Sequence, residues 1–300
     1  MRLFALSLGF LVFCTLPACA QTQAAKPCET RFASSKCVNN VTQLAGEISK
    51  ARVIYLGETH DSAKDHALQL QIIQALSNRK VNNNQKIAIA LEMFQRPYQD
   101  VLNQYLAGKI TEAELVKQTE YEQRWGFPWE LYAPIIRFAK ANNIPLIATN
   151  TPTEITRKVS RQGLESLTPE ERKLIPPFSE IRTAPDEYRK LVLAAFDGHQ
   201  NSGHGNSKNS ERFFLAQVLW DETMAESIAS FVQKNPDYQV VVLAGQGHIV
   251  YDYGIPSRVQ RRLQGKTNMR NFTQRSVLLS PPEDNNLPQN KKIADYIWGK

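Results

Sequence analysis

The chain has 300 residues, long enough for one large α/β domain or two smaller ones. With 42% apolar residues it is too polar for a polytopic membrane protein. The net charge of +7 is spread along the chain, apart from Arg258, Arg261, Arg262, Lys291 and Lys292, and no basic patch is interleaved with aromatics. That argues against nucleic acid as a partner and for an anionic membrane or an acidic ligand.

Residues 1–20 read as a targeting segment, with Arg2 as the charged start and an apolar run over 3–16 too short to span a bilayer. Leu16-Pro17-Ala18-Cys19 resembles a bacterial lipobox, which would make Cys19 the lipidated first residue. Ala20 after it points to the outer membrane, with the protein facing the periplasm on a lipid anchor. Ala18-Cys19-Ala20 also fits ordinary signal cleavage, which would leave a soluble periplasmic protein. Cys14 departs with the apolar run. Cys28 and Cys37 can then pair in an oxidising compartment or stay as thiols.

Residues 21–50 read as a polar tether and a leading helix from about 40. A buried strand follows at 52–56, then a helix to about 78 capped by Asp61 or Ser62. Residues 81–85 form a connector. A second strand at 87–91 ends at Glu92. Thr111 to Glu114 matches a capping box, and 129–141 has helical spacing with Pro134 as a kink. A third strand at 144–148 ends at Thr149 and Asn150.

Residues 151–237 then read as a helical insertion, far longer than an ordinary connection. Thr168-Pro169 starts one helix. Residues 196–210 read as a mobile loop, and Ser210 caps a helix over 211–234. The next strand is 238–244, and short late strands fall at 277–279 and 294–298. The expected fold is α/β, a mixed, mainly parallel sheet with flanking helices. Its core comes from 51–150 and 238–300, with 151–237 as a cap over the carboxyl rim.

Two strands end in the same pattern: Gly57-Glu58-Thr59-His60 and Gly245-Gln246-Gly247-His248. In open α/β sheets ligands sit at the carboxyl ends of strands. Glu58, His60, Glu92, Asn150 and His248 all fall there, and His66 lies one turn into the next helix. Imidazoles and carboxylates in this number can hold a divalent metal through Glu58, His60, His66 and His248, or share a proton for catalysis. They can equally be buried pairs that only stabilise the fold. Gln217 and Asp221 share a helix face, from which Asp221 can orient a rim histidine.

Residues 197–205 carry His199 and His204 among glycines, either to reach a metal or haem iron or as a solvated linker. Tyrosine also ligates ferric haem, and Tyr188, Tyr251 and Tyr253 flank plausible sites.

Gly57 to Asp61, Ala90 to Phe94, Ala216-Gln217 with Asp221 to Ala225, and Gly245 to His248 occur in an order that resembles the ChaN family. These are haem-binding, iron-regulated lipoproteins of Gram-negative bacteria in the wider Tiki/TraB group. The resemblance implies an α/β core with a helical subdomain and a haem pocket completed by a second subunit. It also implies a role in haem and iron uptake beside a TonB-dependent outer-membrane receptor. For haem, His204 and Tyr188 are the first candidate iron ligands, with His199 near them. Phe178, Phe196, Phe213 and Phe214 can form apolar walls, and Arg182, Arg189 and Lys190 can meet the propionates. Some members of the wider group are metal-dependent peptidases. The alternative is therefore a hydrolase using Glu58, His60, Glu92 and His248.

Overall fold

The computed structural model describes residues 31–81, 86–201, 209–266, 272–282, 287–288 and 290–299. In chain order, β1 (Lys36–Val38) and α1 (Val41–Ile48) lead into β2 (Val53–Glu58), α2 (Ala63–Val81) and β3 (Lys86–Gln95). Then come α3 (Gln99–Leu106), α4 (Glu112–Gln118), α5 (Tyr121–Arg124), α6 (Trp129–Ala141) and β4 (Leu146–Asn150). The segment after β4 holds α7 (Thr153–Gln162), α8 (Pro169–Arg172), α9 (Asp186–Asn201) and α10 (Ser210–Lys234). The chain closes with β5 (Tyr238–Gly245), α11 (Ile255–Leu263), β6 (Gln274–Leu278) and β7 (Tyr296–Trp298).

The sheet runs β1-β7-β6-β2-β5-β3-β4, and every described pairing is parallel. Both faces are buried, as a parallel sheet requires. Ile54 and Leu56 point into one core with Leu44, Ile48, Ile72, Leu76 and Ile136. Val53 and Tyr55 point into the other with Met224, Ile228, Val232, Val259 and Leu263. The α/β reading therefore holds.

Several elements differ from expectation. β2 runs on to Glu58 and β3 to Gln95, so Glu58 and Glu92 sit inside strands rather than after them. Pairing between β3 and β4 shifts register between Leu91 and Gln95, which lets the strand continue past its regular ladder. β1 emerges from the expected tether: its three residues carry no alternation, and its pairing with β7 alone defines it. Residues 196–201 are helical, as the end of α9. Gly198 costs about 1 kcal/mol in a helix, too little to stop one already propagating from Leu191 and Val192. The cap of α10 is Asn209, which accepts from the Arg212 amide, rather than Ser210. α10 packs on β4 and β5 as well as on α7, α9 and α11, so the 151–237 segment also supplies a layer of the core.

Residues 1–20 with Cys19, and Cys28, lie outside the described residues. Cys37 is disulfide-bonded. Among the described residues no helix is long and apolar enough to cross a membrane.

Candidate functional site

The ends of β2, β3 and β5 lie side by side in the sheet, so their polar residues meet. Glu58 closes β2 and is 1% exposed. Its Oε1 accepts from His60 Nδ1 at 3.0 Å and from the Tyr132 hydroxyl at 2.5 Å. Its Oε2 accepts from Gln69 Nε2 at 2.6 Å. His66 reaches the same group from α2: its Nε2 donates to the His60 carbonyl at 2.9 Å and its Nδ1 lies 3.2 Å from Gln69 Oε1. Glu58 is thus a buried carboxylate held from three sides, and it fixes which nitrogen of His60 carries hydrogen.

Glu92 on β3 accepts from the Gly245 amide at 2.7 Å and from His248 Nε2 at 3.2 Å. The other nitrogen of His248 donates to Asp221 Oδ1 at 2.6 Å. Asp221 in turn accepts from the Tyr188 hydroxyl. Asn150, at the end of β4, holds the Glu92 carbonyl at 2.9 Å. Burial opposes charge on His248, but Glu92 and Asp221 outweigh it and raise its pKa to about 10. Burial opposes charge on Glu92 too, and His248, His60 and the Gly245 amide bring its pKa down to about 2. The two form an imidazolium–carboxylate pair at neutral pH.

His60 differs from the other two histidines. Its side chain is 27% exposed, and its ring lies 4.8 Å from Trp125 and 5.0 Å from Phe127. Burial works against its charge, and Glu92 and Glu58 overcome that to raise its pKa. Its Nε2 has no partner among the described residues. A Cβ on Gly245 would lie 2.7 Å from that nitrogen, so the ring packs close against the Gly245 backbone and only glycine leaves room for it there.

Glu58, His60, Glu92 and His248 therefore do meet on one rim, with His66 beneath them. Asp221 orients His248 as expected, and Gln217 Nε2 lies 3.0 Å from the same nitrogen. They do not form the expected metal set: among the described residues no group of three or more His, Cys, Asp or Glu is arranged to hold a metal. The nitrogens of His248 and His66 already face other partners, which leaves too few free donors.

Tyr188 is a correction. It is 0% exposed and spends its hydroxyl on Asp221, so it is not placed to meet haem iron. Arg189 is paired with Glu211, whereas Lys190 is exposed. Tyr251 and Tyr253 stack on each other 5.6 Å apart. His199 lies on α9, its side chain and His204 being outside the described residues. Tyr132, Gln69, Trp125 and Phe127 were not foreseen. The aromatic run from Trp125 to Trp129 was the one signal that a wall stood near the rim.

The family model described as "Haem-binding uptake, Tiki superfamily, ChaN" matches residues 44–259. Protein RETICULATA-RELATED 5, chloroplastic, of Arabidopsis thaliana is 27% identical over 84% of this chain, which spans 34% of that protein's length. A solved structure titled "Cofacial heme binding to ChaN of Campylobacter jejuni" superposes with a TM-score of 0.63 at 21% identity, covering 85% of this chain and 89% of that one. At that identity the likeness is one of fold. The family match runs from α1 to α11 and takes in every residue of the rim, and the chain belongs to the ChaN family of haem-binding uptake proteins in the Tiki superfamily.

Proposed function

We propose that this protein binds haem and acts in haem and iron uptake, as a lipoprotein anchored through Cys19 to the periplasmic side of the outer membrane. The reading rests on the family match over residues 44–259, which holds every rim residue. The lipobox-like Leu16 to Cys19 supports the anchor, and the basic charge suits an anionic ligand. Partnership with a TonB-dependent receptor rests on the family resemblance.

Ligation of haem iron by His or Tyr needs a ring nitrogen or phenol oxygen open to the metal. Tyr188 lacks this, being turned onto Asp221. His60 is the most exposed rim histidine among the described residues, and Trp125 and Phe127 offer a wall for a flat ring. His204 and His199 on the insertion are the other ligands proposed, with Lys190 for a propionate. Cofacial binding in the Campylobacter jejuni protein is the reason to propose that two copies of this chain pair on haem.

The experiment is a haem titration of wild type, His204→Ala and His60→Gln, read by visible spectrum and by sedimentation. A shifted Soret band lost in one variant assigns the ligand, and a dimer formed only with haem supports the paired pocket. A wild-type spectrum no different from free haem would sink the reading.

A further inference from the structure

We propose that the end of the sheet opposite the rim is a docking face for a membrane surface of anionic phospholipid, built from Lys50, Arg79, Lys86, Lys234 and Lys266. The proposal does not depend on haem binding or on a lipid anchor.

Every described strand pairing is parallel, so the strands start at one edge and the loops that feed them collect there. Val53 of β2 is level with Val240 and Gln274, and Lys86 of β3 is level with Tyr238. Lys50 precedes β2, Lys86 opens β3, Lys234 closes α10 just before β5, and Lys266 follows α11 on the way to β6. These strands are neighbours in the order β6-β2-β5-β3, so their basic residues form one row. Hydrogen bonds tie the row together: the Thr273 carbonyl accepts from the Arg52 amide at 2.7 Å, and the Arg52 guanidinium donates to the Asn235 carbonyl at 2.8 Å. Arg79, in the last turn of α2, joins the row beside α1, where a Cβ on Gly46 would lie 3.8 Å from its guanidinium.

These side chains are exposed, and none meets a carboxylate among the described residues, whereas Lys36, Lys158 and Lys173 elsewhere pair with glutamates. Asp237 stands among them, and its charge acts on Arg52. Helix C-termini favour nearby cations, but Lys50, Lys86 and Lys266 lie beyond the helix ends. The half-buried rings of Phe231, Tyr238 and Phe272 fringe the same edge. Lysines set beside aromatic rings suit a headgroup layer, where the charge meets phosphate and the ring spans the polar boundary. Nucleic acid suits the face less, because bases need open ring faces to stack on. Lys86 covers the Tyr238 ring at 5.5 Å, and Phe231 meets that ring edge-on at 5.6 Å. β2 is six residues long, about 20 Å, so a molecule seated on this face turns the rim of Glu58, His60, Glu92 and His248 away from the lipid.

The test sediments the haem-free full chain carrying Cys19→Ser, which takes no acyl group at that position, with vesicles of phosphatidylcholine alone or mixed with phosphatidylglycerol. The expected result is binding that needs phosphatidylglycerol and is released by salt. Each lysine near an anionic surface contributes roughly fivefold, so Lys50→Gln, Lys86→Gln and Lys234→Gln together should weaken binding roughly 100-fold. Lys117→Gln, Lys158→Gln and Lys173→Gln together remove the same charge from other faces and should bind as the parent chain does. Should the first triple variant melt early, single Lys50→Gln and Lys86→Gln replace it, each expected to bind roughly fivefold more weakly. No binding to phosphatidylglycerol vesicles, equal loss in the two triple variants, or tighter binding of a single-stranded DNA oligonucleotide at the same lysines each overturns the proposal.

Discussion

Four side chains, Glu92, His248, Asp221 and Tyr188, make a buried chain of hydrogen bonds from the rim into the insertion. Removing a member leaves its neighbours charged and unpaired, which costs about 3–5 kcal/mol for a buried ion pair. His248→Asn should therefore lower stability by that order, checked by urea unfolding at pH 7. The pH dependence has two edges. Glu92 falls from 4.5 to about 2 on folding, so its stabilisation is present above pH 4.5 and is lost as pH drops towards 2. His248 rises from 6.5 to about 10, so its stabilisation is full below pH 6.5 and is lost as pH climbs through 10. The pair stabilises most between those limits, and the unfolding midpoint of His248→Asn should vary less with pH than that of wild type. At this scale the rim was readable in advance. Glu58, His60, Glu92 and His248 stood at strand ends in one phase, and Asp221 stood one helical turn from Gln217. Tyr132 and Gln69 were not readable, because each comes from a helix whose rotation about its axis depends on packing. Tyr188 was misread for a related reason. A tyrosine's sequence neighbours do not say whether its hydroxyl meets solvent or a buried carboxylate.

Among the elements, the turns after β2 and β5 carry the most constraint. At Gly254, which follows the rim, a Cβ would collide with the His248 carbonyl. Gly254→Ala should therefore cost about 1–3 kcal/mol and displace His248, seen as a lower melting temperature. Gly245→Ala has an acceptable backbone, at φ −55° and ψ 137°, and instead presses on the His60 ring. It should leave the fold in place and displace the His60 ring, read as an altered haem spectrum at a little-changed melting temperature. Far from the rim, Thr111 and Glu114 form the capping box of α4. Thr111→Ala should cost about 1 kcal/mol in thermal unfolding with the haem spectrum untouched. That box was readable because its bonds join residues three apart. β1 was not, because its partner β7 lies at the far end of the chain.

For the molecule as a whole, a parallel sheet buried on both faces brings three strand ends to one edge, and α10 ties the insertion to that edge. The duplicated strand-Gly-x-x-His pattern foretold this because β2 and β5 are adjacent in the sheet, in register from Val53 and Val240 onward. The insertion's own helices were harder to foresee. α9 continues through a glycine-bearing segment that local composition assigns to a loop. The same architecture offers an accessible imidazole at the rim and further histidines on the insertion, and the family to which the chain belongs takes up haem. Whether the chain binds haem is decided by titrating haem into the purified wild-type protein while recording the visible spectrum. A saturable, shifted Soret band at a fixed ratio of haem to chain is expected. A spectrum that stays that of free haem at every ratio would contradict it.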